Sequence, residues 1–145
     1  ESMVLASERL RKRGIMVSTY NIIGFPSETR ENIFETIKLN RMMQPDRFSV
    51  RFLYPYPGTE LREECIEKGY MDENQIPSSY LQEPILNLPQ ITKEELKGLK
   101  KTFAFYLKFP ERFWPLIEEC EKDDTRAELL FDLFSKVYTN EKEVN

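Results

Sequence analysis

The sequence predicts an α/β fold, parallel strand-helix units of the kind that build a β/α barrel, followed by an α-helical extension. Three observations carry this expectation. Apolar spacing over residues 1–69 alternates between the helix and strand periods; both strand-like runs end in a Pro/Gly turn and a threonine that opens a helix; and beyond residue 91 every apolar pattern is helical.

In order, residues 2–13 set Met3, Ala6 and Leu10 on one helical face, and Gly14 supplies the stop. Residues 15–23, rich in β-branched side chains, read as a buried strand that ends in the turn from Gly24 to Pro26. Thr29 caps the next helix, with Glu31 near the positive end of its dipole and Ile33, Phe34 and Ile37 as its buried face. Pro45-Asp46 ends it. A second strand at 47–54 alternates Phe48, Val50, Phe52 and Tyr54 against Ser49, Arg51 and Leu53, and Pro55, Pro57 and Gly58 mark its end. Thr59 caps a helix carrying Leu61, Cys65 and Ile66, which stops at Gly69. Two strands separated by one such helix are expected to be parallel, with a right-handed crossover.

Residues 70–91 hold three prolines and little periodicity, and are expected to form an extended, surface-crossing connector. Thr92 with Glu95 makes a capping box before Leu96, Leu99, Phe103 and Leu107 at helical spacing. Pro110 breaks that helix. A helix over 111–122 with Phe113, Trp114 and Ile117 follows, and then one over 125–138 with Leu129, Leu130, Leu133 and Val137, opened by a Thr125/Glu128 box. The expected organisation is therefore barrel units at 1–69, connector at 70–91, helical extension at 92–138 and a disordered polar tail at 139–145. The chain opens on Glu1 with a helical pattern running by Met3, which suggests a piece of a longer protein.

Composition narrows the function. Hydrophobic residues make up 40% and charged residues 32%, with mixed signs and a net charge of −4, so no basic stripe favours nucleic-acid phosphates. No apolar run approaches the roughly 20 residues that cross a bilayer, and the expected location is the cytoplasm. The sequence has no histidine, and this removes the usual general base and metal ligand of hydrolytic triads and zinc sites. Cys65 and Cys120 are expected to be plain thiols in a reducing compartment, and no metal site or catalytic residue is assigned.

Two stretches lie where a parallel strand hands over to its loop, the ligand-facing end of β/α folds: Ile22-Ile23-Gly24-Phe25-Pro26-Ser27-Glu28-Thr29 and Tyr54-Pro55-Tyr56-Pro57-Gly58-Thr59. Stiff turns here can hold backbone groups beside a cofactor, and Gly24 would let a ligand approach the main chain. Gly, Pro and Thr are also what any economical turn uses. Taken together, however, IIGFPSET resembles the fifth-strand motif of radical S-adenosylmethionine enzymes, IIG-x-P-G-E-T. YPYPGTEL resembles the sixth-strand P-x-P-G-T-x-L signature of their cobalamin-dependent subgroup, such as the anaerobic magnesium-protoporphyrin IX monomethyl ester cyclases. The upstream LRKRGIMV is similar to that family's fourth helix running into strand five. The likeness covers about the first 70 residues.

The resemblance implies the C-terminal part of a partial (β/α)6 barrel, similar to a TIM barrel, in an oxidoreductase or methyltransferase-type enzyme. Ile22, Ile23, Gly24, Phe25 and Pro26, with Phe52, Leu53, Tyr54 and Pro55, would form the adenine side of the S-adenosylmethionine site. Asn21, Arg51 and Tyr56 would line substrate or cofactor space, while Glu28, Thr29, Gly58 and Thr59 would hold the turns. Ser27 stands where the motif has glycine, and the C-x-x-x-C-x-x-C loop that holds the [4Fe–4S] cluster is absent, as is a Rossmann-like cobalamin module. S-adenosylmethionine, the cluster and cobalamin would belong to the full-length protein, with none bound by this piece, which would be inactive alone. Its partners would be the missing N-terminal half of its own chain and a small-molecule substrate. Exposed strand edges predict self-association, which sedimentation at high concentration would detect. Two alternatives stay open. One is a non-enzymatic α/β module docking through Phe103, Phe105, Tyr106, Phe109, Phe113 and Trp114, although core packing explains most of those rings. The other is a different β/α enzyme, disfavoured by the lack of histidine and of a glycine-rich phosphate loop.

Overall fold

The computed structural model describes residues 2–75 and 83–143. Its elements, in order, are α1 (Met3–Arg11), β1 (Ser18–Ile23), α2 (Arg30–Met43), β2 (Arg47–Phe52), α3 (Glu60–Glu67), α4 (Lys93–Lys108), a 3-10 turn (Glu111–Phe113), α5 (Trp114–Glu119) and α6 (Thr125–Glu143). Two compact units result, residues 1–97 and 98–145, and the division falls inside α4. Among the described residues no helix is long and apolar enough to cross a membrane.

In the first unit β1 and β2 form a parallel two-stranded sheet, pairing Ser18 with Arg47 through Ile23 with Phe52. It is open and not closed into a barrel. One more ladder bond, from Leu53 N–H to Ile23 O at 2.8 Å, carries the pairing past β2. Alternation gives the sheet two unlike faces. Asn21 and Ile23 of β1 and Val50 and Phe52 of β2 are buried, together with Ile33 and Ile37 of α2. Tyr20 is 85% exposed, and it shares the other face with Ile22, Ser49 and Arg51. The backbone groups of Ser18, Tyr20 and Ile22 are directed away from β2, which leaves β1 an edge that no other strand pairs among the described residues.

Several sequence expectations are corrected here. On α1, Met3, Ala6 and Leu10 are exposed and Ser7 is the buried residue. Its Oγ lies 2.9 Å from Val4 O and 3.1 Å from Met43 O, so a small polar side chain lets α1 approach the end of α2. The strand starts at Ser18, not residue 15, because Ile15 and Met16 precede the pairing. Phe34 is half-buried under the Arg30 guanidinium, and Asn40 joins Ile33 and Ile37 on the buried face of α2. Residues 83–91 are not a surface crossing: Ile85, Leu86, Leu88 and Ile91 are buried, and Asn87 N–H bonds Tyr70 O at 2.7 Å. Residues 76–82 of the expected connector lie outside the described residues.

The second unit is an aromatic core. Phe105 meets Phe131 at 4.9 Å and Phe134 at 5.5 Å between ring centroids, Phe109 meets Phe134 at 4.9 Å, and Tyr106 meets Trp114 edge-on at 5.5 Å. Phe103, Phe105, Tyr106 and Phe109 are buried, and Phe113 and Trp114 are half-buried, so most of the proposed docking stripe is core. Gly98 is required here, since a Cβ would sit 2.6 Å from Glu121 Cβ and 2.9 Å from Glu121 O.

The helix expected over 111–122 splits into the 3-10 turn and α5, because Pro115 lacks an N–H and suits only a first helical turn. Asp124, not Thr125, caps α6, its carboxylate accepting from Ala127 N–H at 2.9 Å. The expected face of α6 is also corrected: Leu129, Leu133 and Val137 are exposed, Leu130 is half-buried, and Ala127 and Phe134 are buried. The helix runs on to Glu143, past the expected end at 138, where Glu141, Lys142 and Glu143 favour helix although Thr139 and Asn140 do not; residues 144 and 145 lie outside the described residues.

Candidate functional site

Both strands point the same way, so the turns that follow them lie at one end of the sheet. The first turn is built around Glu28. Its Oε2 accepts from Gly24 N–H at 2.5 Å and Phe25 N–H at 3.3 Å, while Glu28 N–H donates to Phe25 O at 3.0 Å. A carboxylate thus folds back on the amides just beyond β1. Burial pushes the Glu28 carboxyl above its ordinary value, and the two N–H bonds pull the other way without offsetting it. Gly24 is buried at φ +89, a conformation that side chains rarely adopt. The space that a Cβ would enter is filled by Leu96, 3.2 Å away. The approach that glycine permits here is therefore by α4, where the sequence suggested a ligand. Thr29 caps α2 as expected: Asn32 N–H reaches Thr29 Oγ1 and Thr29 N–H reaches Asn32 Oδ1 at 3.0 Å, a reciprocal box.

The second turn is held differently. Pro55 is fully buried, and its carbonyl accepts from the Arg62 guanidinium at 3.1 Å. The same guanidinium donates to Glu73 O at 2.9 Å and Gln75 O at 3.2 Å. Thr59 caps α3, accepting from Arg62 N–H at 3.3 Å and donating to Tyr56 O at 2.8 Å. Gly58 has φ +80 with open space around it. Tyr54 is half-buried and meets Tyr56 edge-on at 4.8 Å; Tyr56 is 60% exposed.

The named residues thus divide into three groups. Ile22, Phe25, Arg51 and Tyr56 are exposed on the open face or at the strand ends, with Pro26 and Tyr54 half-buried beside them. Ile23, Gly24, Phe52, Leu53 and Pro55 are buried and offer backbone at most. Asn21 lies on the helix-covered face, opposite to Arg51, so these two expected lining residues do not share a face. Asn40 Nδ2 donates to Asn21 Oδ1 at 2.7 Å, and Asn21 Nδ2 donates to Ser49 O at 3.2 Å.

Three residues of the site escaped the sequence reading. Leu96 and Arg62 are two, and Gln90 is the third: its Nε2 donates to Pro26 O and Glu28 O, both at 2.9 Å. The Thr92/Glu95 box that could have hinted at a docked helix start is formed, with Thr92 N–H to Glu95 Oε2 at 2.8 Å and Glu95 N–H to Thr92 Oγ1 at 3.1 Å. The Thr92 N–H bond, joined by the Thr92 hydroxyl donating to the same Oε2 at 2.9 Å, holds the Glu95 carboxyl below its ordinary value. Cys65 and Cys120 are free and buried, and burial pushes both thiols up, away from the thiolate a metal takes. Among the described residues, no group of three or more His, Cys, Asp or Glu is gathered closely enough to hold a metal ion.

Comparison with known proteins adds a relative. Over 105 residues, 71% of this chain, the sequence is 32% identical to a protein of Pyrococcus horikoshii. That relative is named an uncharacterized methyltransferase. The aligned stretch is 23% of the relative's length, so the chain spans a little under a quarter of the curated protein it matches. No protein-family model matches the chain, and no solved structure matches it significantly.

Proposed function

We propose that this chain forms the adenine-side wall of an S-adenosylmethionine site in a radical S-adenosylmethionine enzyme of methyltransferase type. The observation that carries the reading is the pair of stiff turns at one end of two adjacent parallel strands, with Ile22, Phe25 and Tyr56 exposed beside them. Apolar and aromatic surface next to fixed backbone suits a purine, which is flat and has hydrogen-bonding edges. Similarity to a protein named a methyltransferase supports the reaction class, and the likeness of IIGFPSET and YPYPGTEL to radical S-adenosylmethionine motifs supports the family.

In this reading Ile22, Phe25 and Tyr56 contact the adenine, and the free edge of β1 offers backbone groups to its polar rim. Glu28 and Arg62 fix the two turns in advance, so little order remains to be imposed on binding. Arg51, on the open face, meets anionic groups of substrate or cofactor. A [4Fe–4S] cluster and cobalamin, held elsewhere in a longer enzyme, would supply the electron transfer and methyl transfer that these residues only position S-adenosylmethionine for. Cys65 and Cys120, both buried thiols, do not fit as cluster ligands, so the proposal assigns the cluster and any cobalamin to other parts of a longer enzyme.

The coding sequence upstream of Glu1 tests this first: a C-x-x-x-C-x-x-C roughly 100 to 150 residues earlier, the span of several β/α units, is expected. Its absence from the complete reading frame overturns the proposal. In the protein from that frame, Phe25→Ala and Tyr56→Ala should each weaken S-adenosylmethionine binding about five- to tenfold by calorimetry. Unchanged affinity in both sinks the assignment of the wall.

A further inference from the structure

We infer that Gln90 is a positioning residue for the rim that follows β1, tying the Gly24–Thr29 turn to the start of α4 from 62 residues downstream. The turn is held from two sides. On one side, the Glu28 carboxylate takes the N–H groups of Gly24 and Phe25. On the other, the Gln90 carboxamide uses both protons of Nε2 on the carbonyls of Pro26 and Glu28, each at 2.9 Å. Two carbonyls take two donors, which the carboxamide nitrogen supplies and its oxygen cannot, so the orientation of Gln90 follows from its acceptors.

The anchor beneath it is rigid. Ile91 is 2% exposed and Leu96 1%, Leu96 fills the space over Gly24, and the Thr92/Glu95 box fixes the helix start between them. A residue outside both strand-end motifs thereby sets the conformation of Phe25 and Pro26. The conformational half of this inference stands on these contacts alone; the ligand half rests on the proposed S-adenosylmethionine reading.

Gln90 is exposed, so replacing it should leave the fold intact. Amide hydrogen exchange in this chain, compared for the parent, Gln90→Ala and Gln90→Glu, reads the conformational half. Exchange at Gly24, Phe25 and Glu28 should quicken roughly tenfold in Gln90→Ala, as expected for two lost hydrogen bonds, while Thr59 and Arg62 in the other turn stay within about twofold. Gln90→Glu should quicken it further, since a carboxylate would face two carbonyls and share the turn with Glu28. Unchanged exchange at 24–28, or equal acceleration in both turns, overturns the role. For the ligand half, S-adenosylhomocysteine binding to the protein from the longer reading frame should weaken several-fold in Gln90→Ala at unchanged melting temperature. Equal affinity overturns positioning for the ligand. Failure of the parent to bind overturns the proposed function instead, and exchange alone then decides the clamp.

Discussion

The turn from Gly24 to Thr29 and the turn from Pro55 to Thr59 use the same kinds of residue, a glycine at positive φ, proline, and a threonine cap, yet they are fixed by opposite charges. The first closes on a half-buried carboxylate that collects N–H groups, the second on a buried guanidinium that collects carbonyls. The first glycine is pressed by Leu96, whereas the second stands in open space. A shared sequence pattern therefore specifies the path of the chain, and the side chain available nearby specifies how firmly that path is held.

The largest effect should come from removing the guanidinium. Arg62→Met would strip donors from Pro55, Glu73 and Gln75 at once and should cost roughly 3–4 kcal/mol in urea unfolding. A loss under about 1 kcal/mol would mean that water replaces it freely. Next, Gly24→Ala should cost about 2–3 kcal/mol, combining positive-φ strain with displacement of Leu96, while Gly58→Ala should cost only about 1. Equal costs would erase the distinction between the crowded and the open turn.

Smaller still, Thr29→Ala and Thr59→Ala should each lose about 1 kcal/mol of stability, Thr29 the more because its box is reciprocal. The smallest effect concerns pH. Because burial raises the Glu28 pKa above 4.5, the folded state favours the protonated carboxyl. Its contribution is fully present below the unfolded value and is lost as pH rises through the higher folded value. Carbon-13 titration should therefore put the Glu28 midpoint above 4.5 and that of Glu95 below it. Midpoints in the reverse order would show that the two N–H bonds, and not burial, dominate at Glu28.

What was legible in the sequence was local. Thr29, Thr59 and the Thr92/Glu95 pair act within one helical turn of themselves, so their roles could be read from spacing. Faces were less legible. Residues 129, 130, 133 and 137 make an apolar stripe on α6, but 127, 131, 134 and 138 make another, and the rings of Phe105 and Phe109 select the second. Alternation likewise divides β1 into two sets without saying which is covered. Asn40 on α2 decides that, and it draws Asn21 under the helix.

The sequence by itself determined the order of helices and strands, the parallel pairing, the two turns and their threonine caps, since each follows from periodicity or from bonds between residues a few positions apart. Only the tertiary structure decided what clamps those turns. Gln90, Leu96 and Arg62 act on backbone atoms that no local pattern marks, and for Gln90 and Leu96 those atoms are more than 60 positions away. A carbonyl accepts from whichever donor folding brings near, and that choice leaves no periodic trace in the chain.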